Sequence, residues 1–232
     1  MFLIGLGKGG LGGSIGILAT PLMTLVLPAD QVIGLLLPIL MLADVFAVVT
    51  HWRRWDTRLV LLLLPGSIVG MLIGTFFIAS ISPDMLRRGI GVIVLLFVIY
   101  RLFEQSIRRY LQYQPRNWHG FLAGGIAGLV STLAHVGGPP VAIYLLMQNV
   151  LPRVFVATTA LFFAVVNWIK VPSYIYLNLV DFSLLGKIVW LLPLLPVSVW
   201  VGKQIADKVN KMVFDRIIVF LLAVSAAYLL LS

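Results

Sequence analysis

Cysteine is absent from the 232 residues, and charge is scarce: Asp and Glu number 8, and the four charged types together make up 11% of the chain. Without cysteine there are no disulfides, thiolate metal sites or thiol chemistry. A soluble domain usually carries about 25% charged residues. The charge here is too sparse for a polar exterior, which excludes a soluble enzyme, a nucleic-acid binder and a disordered chain. The three histidines, His51, His119 and His135, lie in different segments. No H-E-x-x-H motif or paired-carboxylate spacing accompanies them, so neither a catalytic constellation nor a metal or cofactor site is expected. What is abundant is apolar: 61% of residues are hydrophobic. The chain reads as an all-α integral membrane protein. Met1-Phe2-Leu3-Ile4 has no basic n-region, so a removable signal peptide is not expected.

A spanning helix takes about 20 mostly apolar residues. Apolar segments run near 2–27, 32–50, 59–80, 89–103, 120–148, 154–177, 184–202 and 212–231. The polar stretch 104–118 divides the chain into a first repeat at 1–103 and a second at 119–232. Gly5, Gly9 and Pro21 match Gly124, Gly128 and Pro140 at a constant offset, and Pro65, Gly74 and Arg88 match Pro193, Gly202 and Arg216 at another. Each half is a Gly-rich broken segment followed by three ordinary ones, the signature of a duplicated transporter fold.

Charge decides how the broken segments run. The net charge of +9 comes from 17 Lys and Arg, mostly between apolar runs. If all eight segments cross, the basic residues outside the first segment divide seven against nine, and orientation is undetermined. If segments 2–27 and 120–148 are re-entrant hairpins, the division is 12 against 4, a clear positive-inside signal. About six full crossings then remain, three per half, and an odd number inverts one repeat relative to the other. Stretches 51–58, 104–118 and 203–211 are placed in the cytoplasm, and both termini outside.

Irregular backbone at membrane depth survives only where it lines a cavity or is buried in protein. Half-helix N-termini offer free N–H groups and a positive dipole end to a small anion, and glycine lets the anion approach closely. Lys8 lies in the first break and His135 in the second, and an ionisable group at this depth is a functional candidate. Lys8 has a plainer reading, snorkelling to the surface, and His135 another, capping a half-helix.

The run Gly7-Lys8-Gly9-Gly10-Leu11-Gly12-Gly13-Ser14, with Pro21 seven residues on, opens the first half. Ser131-Thr132-Leu133-Ala134-His135-Val136-Gly137-Gly138-Pro139-Pro140 continues into Val141-Ala142-Ile143-Tyr144-Leu145-Leu146 in the second. Together they resemble the TauE/SafE sulfite exporter (TSUP) family over nearly the whole chain, including Asp44 and Asn167-Trp168-Ile169-Lys170. The resemblance implies a permease for small sulfur-containing anions such as sulfite, sulfonates or sulfoacetate, in a bacterial inner membrane, as a monomer or homodimer among lipids. The expected substrate contacts are Lys8, Gly9, Gly10, Gly12, Gly13 and Ser14 in the first half. Ser131, Thr132, His135, Gly137, Gly138, Pro139, Asn167 and Lys170 supply those of the second.

Asp44 is either the structural partner of Lys8 or, with His135, a proton-coupling group. Lys170 is near enough to a segment end to snorkel. Gly5-x-Gly7-x-x-Gly10 formally matches a dinucleotide fingerprint, but no strand precedes it and no acidic residue follows at the right distance. The stripes Gly66, Gly70, Gly74 and Gly120, Gly124, Gly128 read as close helix packing. An anion channel built from the same hairpins is the main alternative to a carrier.

Overall fold

A computed structural model describes residues 2–6, 13–110, 116–206 and 211–231; these are mainly helical, joined by short turns, with no strand among them. The first Gly-rich segment gives α1 (Phe2–Leu6) and α2 (Gly13–Met23). Lys8, Gly9, Gly10 and Gly12 lie between the two, outside the described residues. Then come α3 (Ala29–Thr50), α4 (Thr57–Ser80) and α5 (Pro83–Tyr110). The second Gly-rich segment gives α6 (Asn117–Ala134) and α7 (Gly138–Met147), followed by α8 (Pro152–Tyr176), α9 (Phe182–Ile188), α10 (Leu194–Ala206) and α11 (Lys211–Leu231). Helices α3, α4 and α8 are long and apolar enough to cross a bilayer, and α7 is a shorter apolar helix. Leu61, Ile68, Leu72 and Phe76 of α4 are exposed, as side chains that face lipid are.

Two elements depart from the sequence pattern. Helix α5 runs past the apolar limit at 103 to Tyr110, because Glu104, Gln105, Arg108 and Arg109 are good helix formers that extend it beyond the hydrocarbon. The segment expected as one ordinary helix at 184–202 is interrupted: α9 ends at Ile188, a 3-10 turn covers Val189–Leu191, and α10 starts at Leu194. Pro193 has no N–H to donate and disfavours helical backbone at Leu192.

Helices α4 and α6 lie side by side along the two glycine stripes. A Cβ on Gly66 would overlap the Phe121 carbonyl oxygen, and one on Gly70 would overlap that of Gly125. From the other side, a Cβ on Gly124 would strike the Leu63 carbonyl and one on Gly128 that of Ser67. Only backbone-to-backbone contact is this close, and it lets the two helices run parallel. Helix α7 then turns back along α6, with Gly137 against Ala127 and Ser131, and Tyr144 against Gly120. The start of α6 and the end of α7 therefore lie at one end of the bundle. The starts of α4 and α8 join them there, where the Asp56 N–H donates to Thr158 Oγ1 at 2.9 Å.

The remaining pairings fix the frame. Helix α3 packs on α8, α5 on α11, and α1 on α10. Arg101 of α5 donates to Asp215 of α11 at 2.8 Å and also pairs with Glu104. Further along, the Arg87 guanidinium sits 5.5 Å from the Tyr228 ring centre. Gly5 of α1 meets Ser198 of α10 with no room for a side chain, as Gly124 meets Leu63.

Candidate functional site

The end of α6 organises the site. A helix leaves its last carbonyls without intrahelical donors, and those of α6 are met largely by side chains of α8. The Ser131 carbonyl accepts from the His135 N–H at 3.0 Å and from Lys170 Nζ at 3.2 Å. The Thr132 carbonyl accepts from the Tyr174 hydroxyl at 2.7 Å. Lys170 Nζ also donates to Ser131 Oγ at 3.0 Å, and Thr132 Oγ1 donates back to the Gly128 carbonyl at 2.8 Å. An ammonium at this point faces the negative end of the α6 dipole, which favours it. Lys170 does not snorkel, as its position near a segment end had allowed: it is 1% exposed. The carbonyls of α6 hold it inside.

His135 ends α6 in the left-handed conformation, with φ 55° and ψ 25°. Its Nε2 is 2.9 Å from the Ile33 carbonyl of α3 and its Nδ1 is 3.3 Å from Lys170 Nζ. A carbonyl only accepts, so Nε2 carries the proton and Nδ1 is left to accept from the ammonium. The imidazole in this arrangement is neutral and ties α6 to α3 and α8. His135 is thus both a helix cap and a direct neighbour of the buried cation.

One turn before Lys170 on α8, Asn167 Nδ2 donates to Asp44 Oδ2 of α3 at 2.6 Å. Asn167 and Asp44 are 3% and 1% exposed. Asp44 is therefore bound to α8, while its expected pairing with Lys8 lies outside the described residues. Gly137 and Gly138 open α7 and supply its terminal N–H donors, since Pro139 and Pro140 have none. Gly13 and Ser14 stand in the first turn of α2 as Gly138 and Pro139 stand in that of α7. The positive features at the second break are then the Lys170 ammonium and the N-terminus of α7.

The structure brings Ser131, His135 and Lys170 into one hydrogen-bonded group, with Thr132 bonded to Tyr174 beside it and Asn167 and Asp44 one turn away. Tyr174 was not singled out from the sequence, yet its ring lies 5.9 Å from Lys170 Nζ and 6.1 Å from the His135 ring. Its signal was there: Asn167, Lys170 and Tyr174 are three and four residues apart, a polar stripe on one face of an apolar helix.

Among the described residues, Asp44, Ser131, Thr132, Asn167 and Lys170 put buried polar side chains at the α6–α7 break of an apolar bundle, a costly placement in a membrane that marks a functional site. No curated protein and no solved structure matches the chain. The family model for Sulfite exporter TauE/SafE matches residues 1–229, so the chain belongs to that family, one of integral membrane transporters and not of enzymes.

Proposed function

We propose that the chain is a secondary carrier of a small sulfur oxyanion, such as sulfite, a sulfonate or sulfoacetate, in a bacterial inner membrane. The observation that carries this reading is the Lys170 ammonium, buried at the α6–α7 break in contact with Ser131 and His135. Its charge and the N-terminus of α7 together attract an anion. The near-complete burial of Lys170, Asn167 and Asp44 supports a carrier over a channel. An anion reaches them only after neighbouring groups move, whereas a conducting pore keeps its lining open.

Reciprocal packing supports two inverted repeats with about six crossings. Second elements pair together (α3 with α8), as do fourth elements (α5 with α11), and α4 on α6 is answered by α10 on α1. In both halves the third element also starts on an Asp cap, Asp56 and Asp181. In this arrangement Lys8 of the first break is the counterpart cation to the Lys170 group. A proton gradient drives the cycle through His135 or Asp44.

The test is sulfite and sulfoacetate flux in proteoliposomes for wild type, Lys8→Ala, Lys170→Met and Asp44→Asn. Flux should saturate, show counterflow, and fall at least about tenfold in Lys170→Met, since a lost charged contact is worth roughly 1.5–3 kcal/mol. Undiminished flux in both lysine variants removes the site. Linear conductance replaces the carrier with a channel, and an Asp44→Asn variant with full pH-dependent flux removes Asp44 from coupling.

A further inference from the structure

The Lys170 group is closed off at both ends of the bundle, but unequally. Along α8, Lys170 is about 9 Å from the end at Tyr176 and about 27 Å from the start at Pro152, at about 1.5 Å per residue. Towards the start of α8, an apolar cluster that includes Leu63, Val141, Leu145, Phe162 and Val166 fills the space between α4, α7 and α8. Towards its end the cover is thinner, and there Tyr174 packs in one cluster with Ile33 of α3, Val136 of the break and Leu179 beyond α8.

Tyr174 stands in that thinner cover, one turn beyond Lys170. Residues four apart share a helix face, and helical side chains lean towards the helix start. The Tyr174 ring therefore lies back over the turn that carries Lys170. It is 5.9 Å from Nζ and 6.1 Å from the His135 ring, and its hydroxyl donates across to the Thr132 carbonyl of α6. The side chain thus spans from α8 to α6 on the side of the ammonium that faces the end of α8. It is fully buried, the bulkiest such side chain among the described residues. In a close-packed interior an anion passes such a ring only after the ring has moved.

We propose that Tyr174 is the bar that closes the Lys170 group towards the face of the membrane where α8 ends, and that its ring swings aside when the site opens to that face. This rests on the reading of the Lys170 group as the anion site. The bar sets how often the site is reached, not how tightly the anion is held there.

The chain has no cysteine, so Ser131→Cys, beside Lys170, serves as a single reporter. The probe is the membrane-impermeant sulfonate 2-sulfonatoethyl methanethiosulfonate, applied to each face of sealed vesicles in turn, with Ser183→Cys marking the face at which α8 ends. Tyr174→Ala should speed modification of Ser131→Cys at least about tenfold from the Ser183 face and leave the other face unchanged. Tyr174→Phe keeps the ring and should stay within about threefold of the parent. Tyr174→Leu makes the same test should Tyr174→Ala not fold. An unchanged rate from the Ser183 face overturns the bar. An equal rise from both faces also overturns it, because it reports general loosening. So does a Tyr174→Phe rate as high as that of Tyr174→Ala, which would take the ring out of the barrier. Modification is read without transport, so sulfite flux measured in parallel keeps the two readings apart: a face-specific rise in a chain without flux supports the bar and removes the carrier, and flux without such a rise removes the bar alone.

Discussion

His135 occupies a backbone slot that suits glycine or asparagine, the usual residues in left-handed conformation after a helix. A histidine there is held by what its ring does, and the ring joins the Ile33 carbonyl to the Lys170 ammonium. His135→Asn keeps the backbone conformation and removes the bridge. Folded protein should result, less stable by about 1–3 kcal/mol for the lost bridge, with transport reduced; unchanged transport would make the imidazole a cap and nothing more. Tyr174 offers the complementary case. Its hydroxyl serves the Thr132 carbonyl, so Tyr174→Phe leaves a buried acceptor unpaired and should cost about 1–3 kcal/mol. Unfolding in detergent measures that loss, and the substrate KM of the surviving protein should not move, because no charge at the break has changed.

At the scale of elements, the α4–α6 seam holds the hairpin in place. Hydrocarbon gives no hydrophobic drive for helices to associate, so packing must supply it, and small residues permit the closest packing. Gly70→Val places a branched side chain on the Gly125 carbonyl and should abolish folded protein, whereas Gly16→Ala, with open space at its Cβ, should be tolerated. Monodispersity on size-exclusion chromatography separates the two outcomes. This seam was legible beforehand, since two glycine stripes at four-residue spacing imply a close helix pair. The break at His135 was equally readable from Gly137, Gly138 and the prolines. The interruption near Pro193 was not, because α4 carries Pro65 at the matching position and stays continuous. Nor was the burial of Lys170: a lysine near a segment end has two low-energy destinations, the interface or a set of carbonyls. Only the return of α7 along α6 decides between them.

For the molecule as a whole, the question is which ends share a face of the membrane. Tyr144 lying against Gly120, and Asp56 bonded to Thr158, put the starts of α4, α6 and α8 together. Helix α8 then ends at the opposite pole, near the start of α3, where Gly34 meets the Leu179 carbonyl. A single kinked crossing of α6 and α7 would instead separate the start of α6 from the start of α8. Because the chain has no cysteine, single cysteines can be introduced without clearing a background. Arg54, Arg116 and Arg153 are exposed at the first pole, and Asp84 and Ser183 are exposed at the second. In sealed inside-out vesicles a membrane-impermeant maleimide should label Arg54→Cys, Arg116→Cys and Arg153→Cys, and leave Asp84→Cys and Ser183→Cys unlabelled until detergent is added. Right-side-out vesicles should give the reverse pattern, with the basic pole protected, as the excess of positive charge there requires. Labelling of Arg116→Cys and Arg153→Cys from opposite faces would mean that α6 and α7 cross together, and the paired hairpins would no longer be available to hold an anion between them.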